Sequence, residues 1–226
     1  MELQDIKDRV AELAKHPYRD GLSKNGWYQE IELFGVQTTR NSLSNMSVWN
    51  RIRSLLPSHL YGMGLLDIGC NAGLFCTMAA MEGAVTVGLD NKQCWVDQAI
   101  FVHEMFEARY GKRLSSQFKL FDVATNSPCS LGAHFDYTLL IGVAAEIMFV
   151  HGERKFSPLA MGAQEVLITR LTGCTDNMII RSRETQSGMS SVLYTEIMNK
   201  CNWTLTKQIQ DVNENVLLNL YSRSDG

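Results

Sequence analysis

The residues best suited to chemistry lie on a glycine-bearing turn that follows an apolar run. The run Leu65–Ile68 leads into Gly69, Cys70, Asn71 and Gly73. Gly69 and Gly73 lack the Cβ atoms that would block close backbone approach, and a helix beginning after the turn presents free N–H groups to a ligand. Asp90 ends the next apolar run, about twenty residues further on, where an acid can accept hydrogen bonds from both hydroxyls of a ribose. The pattern predicts a nucleotide-type site.

An acid before the first glycine separates this turn from a dinucleotide-binding one. Dinucleotide sites have the spacing G-x-G-x-x-G and carry no fixed charge where the pyrophosphate lies. Here Asp67 precedes Gly69, and its carboxylate would repel a diphosphate but suits a ligand that bears an ammonium group. S-adenosylmethionine carries an α-ammonium, a sulfonium and a ribose, and therefore fits the pattern.

The turn resembles the first motif of the class I S-adenosylmethionine-dependent methyltransferases, a hydrophobic pair followed by D-x-G-x-G-x-G. Asn71 replaces the middle glycine, and Asn tolerates left-handed backbone better than most residues. The resemblance implies S-adenosylmethionine as cofactor, no metal, and a cofactor site made of Asp67, Gly69, Cys70, Asn71, Gly73, Asp90, Asn91, Asp122, Val123, Ile141 and Trp49. Alternatively, such a turn only packs a helix on a sheet.

Two later segments extend the resemblance. Phe118–Val123 reads as a short strand that ends in an acid, and in this family Asp122 would reach the adenine amino group. Phe135–Gly142 reads as a buried strand, with the Phe-Asp start that is common before the fourth strand of these enzymes. The matches occur in the same order as in the family.

The alternation of apolar runs and helical patterns from residue 64 onward predicts an α/β fold. We expect a doubly wound, mostly parallel seven-stranded sheet, a Rossmann-like methyltransferase fold with an antiparallel last strand. The predicted strands lie near 64–68, 84–89, 117–121, 135–141, 177–183, 203–210 and 215–222. Helices are predicted over 2–15, 48–56, 95–110 and 190–201, and residues 27–33 fit a short strand or an extended lid. We divide the chain into an N-terminal helical and lid extension, 1–57, and a catalytic domain, 58–226.

Upstream of the turn, Glu32–Val36 and Val48–Ile52 resemble the carboxymethyltransferases of the tRNA wobble uridine. Those enzymes carry a lysine shortly before the tryptophan that matches Trp49, and a Tyr-His pair after the fourth strand. This chain has Val48 beside Trp49 and Gly142–Glu146 after that strand. Both departures indicate plain S-adenosylmethionine and a different substrate.

Catalytic and substrate-binding residues are less sharply indicated. Methyl transfer is an in-line displacement that needs alignment and, for some acceptors, a general base. Glu146 and His151 follow the fourth strand and are the candidate bases, and His103 is a weaker one. In the resemblance Trp27, Tyr28, Phe34 and Trp49 form a lid over the methyl-donor site, with Trp27 and Tyr28 contacting the substrate. Alternatively, Trp49 only packs its helix on the sheet. Arg181 and Arg183 share one strand face and would anchor an acidic substrate, or else form a surface pair against a helix.

Composition limits the classes of partner. The net charge of −3 argues against a broad nucleic-acid face, and the six cysteines are scattered without the spacing of a zinc site. The charged residues after Met1 predict no signal peptide, the longest apolar run is too short to cross a membrane, and we expect a cytoplasmic protein. A small-molecule substrate is the main expectation, and the oligomeric state is left open.

Two alternatives to a small-molecule enzyme remain. An RNA-modifying methyltransferase would need its basic side chains to gather on one face, namely Arg51, Arg53, Lys112, Arg113, Arg154 and Lys155. A non-catalytic subunit that binds the cofactor would explain the missing catalytic pair.

Overall fold

The computed structural model describes residues 2–15, 26–39, 45–141, 158–183, 191–211 and 216–224. A short hairpin is formed by β1 (Glu32–Leu33) and β2 (Val36–Gln37). The main sheet contains β3 (Gly64–Ile68), β4 (Val85–Asp90), β5 (Ser116–Leu120), β6 (Phe135–Leu140), β7 (Thr175–Arg183), β8 (Trp203–Asp211) and β9 (Val216–Arg223). The helices are α1 (Leu3–Leu13), α2 (Asn45–Leu55), α3 (Leu74–Met81), α4 (Gln93–Tyr110), α5 (Pro158–Thr172) and α6 (Ser191–Lys200).

The seven strands of the main sheet follow the order β5-β4-β3-β6-β7-β9-β8. Neighbouring strands are parallel from β5 to β7, and β9 runs antiparallel to both β7 and β8. The chain moves outward from β3 to β5 and then returns to place β6 on the other side of β3. Ligands of open α/β sheets bind at the carboxyl ends of the strands where the order reverses in this way. The predicted fold class is confirmed.

Residues 27–33 were expected to form a short strand or an extended lid, and the structure has a two-residue strand at their end. Within 27–33 only β1 is a strand, and it pairs with β2 across a turn at Phe34 and Gly35, which have φ angles of 50° and 85°. Positive φ at both central residues is what a two-residue hairpin turn requires. The residues before β1 are not paired in a sheet and pack on the helices instead.

Two hydrophobic cores cover the two faces of the sheet. One joins the β3 residue Leu65 to α2, α3 and α4, and it includes Ile6, Val10 and Trp27 from the N-terminal extension. The other packs α5 and α6 on the opposite face, around Met178 and Tyr221. The extension therefore shares a core with the sheet and contributes to its stability.

No helix in the described part of the chain is both long and apolar enough to cross a membrane. Over the same residues, no group of three or more His, Cys, Asp or Glu side chains is arranged to hold a metal ion. All six cysteines are present as free thiols.

Candidate ligand-binding site at the carboxyl edge of the sheet

The turn after β3 is built from left-handed backbone. Gly69, Asn71 and Gly73 have φ angles of 70°, 51° and 72°, so every second residue of the turn adopts this conformation. Asn71 therefore adopts the left-handed backbone conformation that it was expected to tolerate. The backbone amides of Gly69 and Cys70 both donate to the carbonyl of Leu89, at 2.7 and 3.0 Å, and this fastens the turn to the end of β4.

Gly73 also has a packing role. A Cβ atom there would lie 2.6 Å from Cε1 of Phe118 and 2.8 Å from Cβ of Ala99. Gly88 on β4 is similarly close to Phe118, since its Cβ would lie 2.7 Å from Cδ1 of that ring. These two glycines let the Phe118 ring of β5 pack directly under the turn, so part of the motif serves the fold.

Asp90 ends β4 and holds the turn in place. Its Oδ2 accepts a hydrogen bond from the backbone amide of Asn71 at 3.0 Å, and its Oδ1 accepts one from Lys92 at 3.1 Å. Burial raises the pKa of this carboxyl, although the backbone amides of Asn71, Lys92 and Asn91 oppose that shift. Each carboxylate oxygen has a second lone pair, so Asp90 still has the capacity to accept two hydroxyl hydrogen bonds.

Asp67 lies inside the fold. Its side chain is 1% exposed and faces α3, where the Sγ of Cys76 lies 4.0 Å from its Oδ2. Burial, with a smaller contribution from the charge of Asp90, raises the pKa of Asp67 well above its ordinary range. Its expected role toward a ligand's ammonium group stays a prediction, and the structure places the carboxyl on the α3 side of β3. Because side chains alternate along a strand, Asp67 lies on the same face of β3 as Leu65, which packs in the core with α2, α3 and α4.

The remaining predicted cofactor residues reach the same edge from neighbouring strands. Asp122 follows β5 and is half-buried. Its Oδ1 accepts a hydrogen bond from the backbone amide of Ala124 at 2.9 Å, and its backbone carbonyl accepts one from the backbone amide of Asn126 at 2.9 Å. Val123 is buried beside it, and Asn91 is exposed after Asp90. Ile141 follows β6 and is half-buried. The structure therefore brings the loops after β3, β4, β5 and β6 to one edge.

Two of the predicted aromatic contacts are core residues. Trp27 is 1% exposed, and its indole Nε1 donates to the carbonyl of Val10 at 3.0 Å. Trp49 is 2% exposed and stacks on Phe75, with ring centroids 6.4 Å apart. Tyr28 is on the surface. Trp27, which was predicted to contact the substrate, is therefore covered by α1. Its ring packs in the core that the extension shares with the sheet.

Gln29 lies at the start of α3 although it was not among the predicted site residues. This residue belongs to the extension, is 4% exposed, and accepts the backbone amide of Leu74 at the start of α3 on its Oε1, at 3.2 Å. A glutamine in a loop gives no local signal of such a contact, because its partner lies 45 positions along the chain.

The candidate catalytic residues Glu146 and His151 lie outside the described residues. Arg181 is half-buried in β7, and Arg183 is the last residue of that strand. His103 is partly buried on α4, with its ring edge against Phe118, and burial lowers its pKa. Its position between α4 and β5 indicates a structural role.

Basic residues of the RNA alternative are engaged locally. Arg53 bonds Glu82 at 2.6 Å and the carbonyls of Pro57 and Ser58, and Lys112 donates to the carbonyl of Met81. Arg154 and Lys155 lie outside the described residues.

No protein-family model matches the sequence, and no curated protein matches it. Among solved structures, the N-terminal domain of EvdMO1 with bound SAH has a TM-score of 0.67 and 14% identity, over 100% of this chain and 98% of that chain. The magnesium protoporphyrin IX methyltransferase ChlM from Synechocystis PCC 6803, with bound SAM, has a TM-score of 0.60 and 15% identity, over 79% of this chain and 77% of that one. The N-methyltransferase NodS from Bradyrhizobium japonicum WM9 has a TM-score of 0.59 and 14% identity, over 80% and 97%. At these identities the likeness establishes a Rossmann-like methyltransferase fold.

Proposed function

We propose that this chain is an S-adenosylmethionine-dependent methyltransferase that acts on an oxygen, nitrogen or sulfur atom of a small or medium-sized substrate. The observation that carries the proposal is the left-handed turn fastened to Asp90 at the point where the strand order reverses. A backbone cradle beside a carboxylate with free lone pairs suits a ligand that contains a ribose.

The comparisons support the same class. ChlM and EvdMO1 were crystallised with SAM or SAH, and NodS is an N-methyltransferase. A further EvdMO1 structure was obtained in the presence of SAH and D-fucose. A porphyrin and a sugar are both small molecules, which supports a small-molecule substrate for this chain. A cytoplasmic location stays a prediction.

The site residues fit the proposed cofactor in the following way. Asp90 and Asn91 would hold the ribose, Asp122 and Val123 the adenine, and Gly69 through Gly73 the amino-acid portion. When bound, S-adenosylmethionine supplies a methyl group activated by its sulfonium. The protein's work is to align the acceptor and exclude water, with Glu146 or His151 removing a proton where the acceptor needs it. Arg181 and Arg183 would anchor an acidic group of the substrate, and Tyr28 would contact it from the extension.

Calorimetric titration with S-adenosylhomocysteine tests the proposal. We expect micromolar binding to the wild type and a loss of about a hundredfold or more in Asp90→Ala, because hydrogen bonds from two hydroxyls to a carboxylate are removed. Asp97→Ala is the matched control, since Asp97 lies nearby on α4 and accepts only the exposed Gln93 side chain among the described residues. Absence of binding to the wild type would mean that the turn is only a fold element.

A second experiment tests the candidate bases once an acceptor is found. We expect Glu146→Gln or His151→Ala to lower turnover if proton removal is needed for that acceptor. Near-normal turnover of both variants would mean that alignment alone supports catalysis.

A further inference from the structure

Arg170, in the last turn of α5, binds the loop that follows β5 with its side chain. Its Nη1 donates hydrogen bonds to the backbone carbonyls of Val123 at 3.1 Å and Ala124 at 2.6 Å. A guanidinium carries several N–H donors in one plane, so it can hold two successive carbonyls at once. The partners are 46 and 47 positions apart in the chain, so these bonds join elements that only the fold brings together.

The backbone carbonyl of Arg170 binds the far end of the same loop. It accepts a hydrogen bond from the hydroxyl of Ser127 at 3.4 Å and one from the thiol of Cys129 at 3.0 Å. Carbonyls in the last turn of a helix have no partner within that helix, so groups from elsewhere in the chain can bind them. Arg170 therefore fastens both ends of the segment 123–129 to α5.

The side-chain bonds of Arg170 reach Asp122 through one peptide group. The carbonyl of Val123 and the amide of Ala124 belong to the same planar unit. Arg170 holds this unit by its oxygen, and Oδ1 of Asp122 accepts its N–H at 2.9 Å. A rotation of the peptide group would break both bonds, so the guanidinium fixes the orientation in which the Asp122 carboxylate is held.

We propose that Arg170 is a positioning residue for the adenine end of the methyl donor, and that it sets how strongly the site prefers a 6-amino purine by orienting the Asp122 carboxylate. The inference rests on the proposed function, in which Asp122 and Val123 hold the adenine. A 6-amino group donates to a carboxylate, whereas a 6-oxo purine presents an oxygen that a carboxylate repels. The preference between the two rings therefore reports on the position of the carboxylate.

The test compares two ligands that differ only in the purine. S-adenosylhomocysteine carries adenine, whereas S-inosylhomocysteine carries a 6-oxo purine and is otherwise the same molecule. We would measure both affinities by calorimetry in the wild type, Arg170→Met, Arg170→Gln and Arg170→Lys. Methionine and glutamine remove the charged donor, and lysine keeps a charged donor of similar reach.

We expect the wild type to bind S-adenosylhomocysteine about tenfold or more tightly than S-inosylhomocysteine. In Arg170→Met this ratio should fall by about threefold or more, because Val123 still packs with Leu167 and Leu171 of α5 while its peptide group can rotate. Arg170→Lys should recover part of the ratio. The ratio is the readout, since a partly unfolded variant lowers both affinities alike. Should Arg170→Met fail to fold, the ratio in Arg170→Gln decides.

Arg53→Met is the matched control. Arg53 also donates to two successive backbone carbonyls, those of Pro57 at 2.7 Å and Ser58 at 2.8 Å, but these residues precede β3 and lead into its amino end. Its variant should leave the ratio unchanged. If neither Arg170→Met nor Arg170→Gln changes the ratio, Arg170 only stabilises the fold and the inference is overturned. Equal binding of the two ligands by the wild type also overturns it. If the wild type binds neither ligand, the proposed function itself fails.

Discussion

Alanine substitutions at Gly73, Gly88 and Gly111 separate the two reasons for which glycine is required at Gly73. Gly111 ends α4 with a φ angle of 60°, and a Cβ atom there would have no neighbour within 4 Å, so its substitution introduces strain alone. Gly88 lies in β4 without a positive φ, but a Cβ there would overlap Phe118. Gly73 combines both problems, with a φ angle of 72° and a Cβ that would overlap Phe118 and Ala99.

The expected loss in free energy of unfolding for each alanine variant follows from the environment of its glycine. Left-handed strain costs about 1 kcal/mol for Gly111→Ala, and overpacking costs about 2 kcal/mol for Gly88→Ala. If the two contributions add, Gly73→Ala loses about 3 kcal/mol, which lowers the melting temperature by about 6 to 12 °C for a chain of this length. Because Gly73 and Gly88 meet the same ring, Phe118→Leu should relieve part of the loss in either alanine variant.

Urea unfolding followed by tryptophan fluorescence measures these free energies, since the chain has four tryptophans. If Gly73→Ala were no less stable than Gly111→Ala, the overlap with Phe118 would have no energetic consequence and this prediction would be wrong. It would also fail if Phe118→Leu destabilised the wild type and the Gly73→Ala variant by the same amount, since no coupling would then exist between the two positions.

Two further predictions concern buried polar groups. The pKa of Asp67 is raised on folding from an ordinary value near 3.8, so the folded state binds the extra proton and stability falls as the pH rises from that value toward the folded pKa. Asp67→Asn should therefore gain stability relative to the wild type between pH 5 and pH 8 in urea unfolding, and parallel pH profiles would contradict this. Trp27→Phe removes the hydrogen bond to the Val10 carbonyl and part of a core ring, so we expect a loss of about 2 kcal/mol and a fall in melting temperature of about 4 to 8 °C. Tyr61→Phe, at an 88% exposed position, is its control, and equal melting temperatures for the two variants would contradict the core placement.

The strands of the main sheet could be predicted because their signal is local. Apolar runs bounded by turn residues placed β3, β4, β5 and β6 within about two residues of their observed bounds. β7 begins at Thr175, two residues before its predicted start. Its first three residues are polar, and the side-chain amide of Asn177 donates a hydrogen bond to the backbone carbonyl of Asp136. An apolar pattern does not show such a beginning.

The extension was harder to predict because contacts distant in sequence decide its form. Trp27 is buried through a bond to Val10, and Gln98 on α4 holds the carbonyls of Leu13 and Gly26 from more than 70 positions away. An alternating pattern over 27–33 suggested a strand or a lid; the strand is limited to Glu32–Leu33, and the residues before it contact helices. Whether an amphiphilic segment is buried depends on which elements pack against it, and a local pattern of apolar residues does not show which elements those are.

The sequence itself determined the glycine spacing, the tolerance of Asn71 for left-handed backbone and the acid at the end of β4. All three lie within one strand-helix-strand unit whose geometry is set locally. Only the tertiary structure decided that Asp67 faces α3 and that Gln29 caps that helix. Side-chain direction at a strand end and contacts across 45 residues depend on how separate elements pack, because burial and hydrogen-bond pairing are properties of the assembled fold.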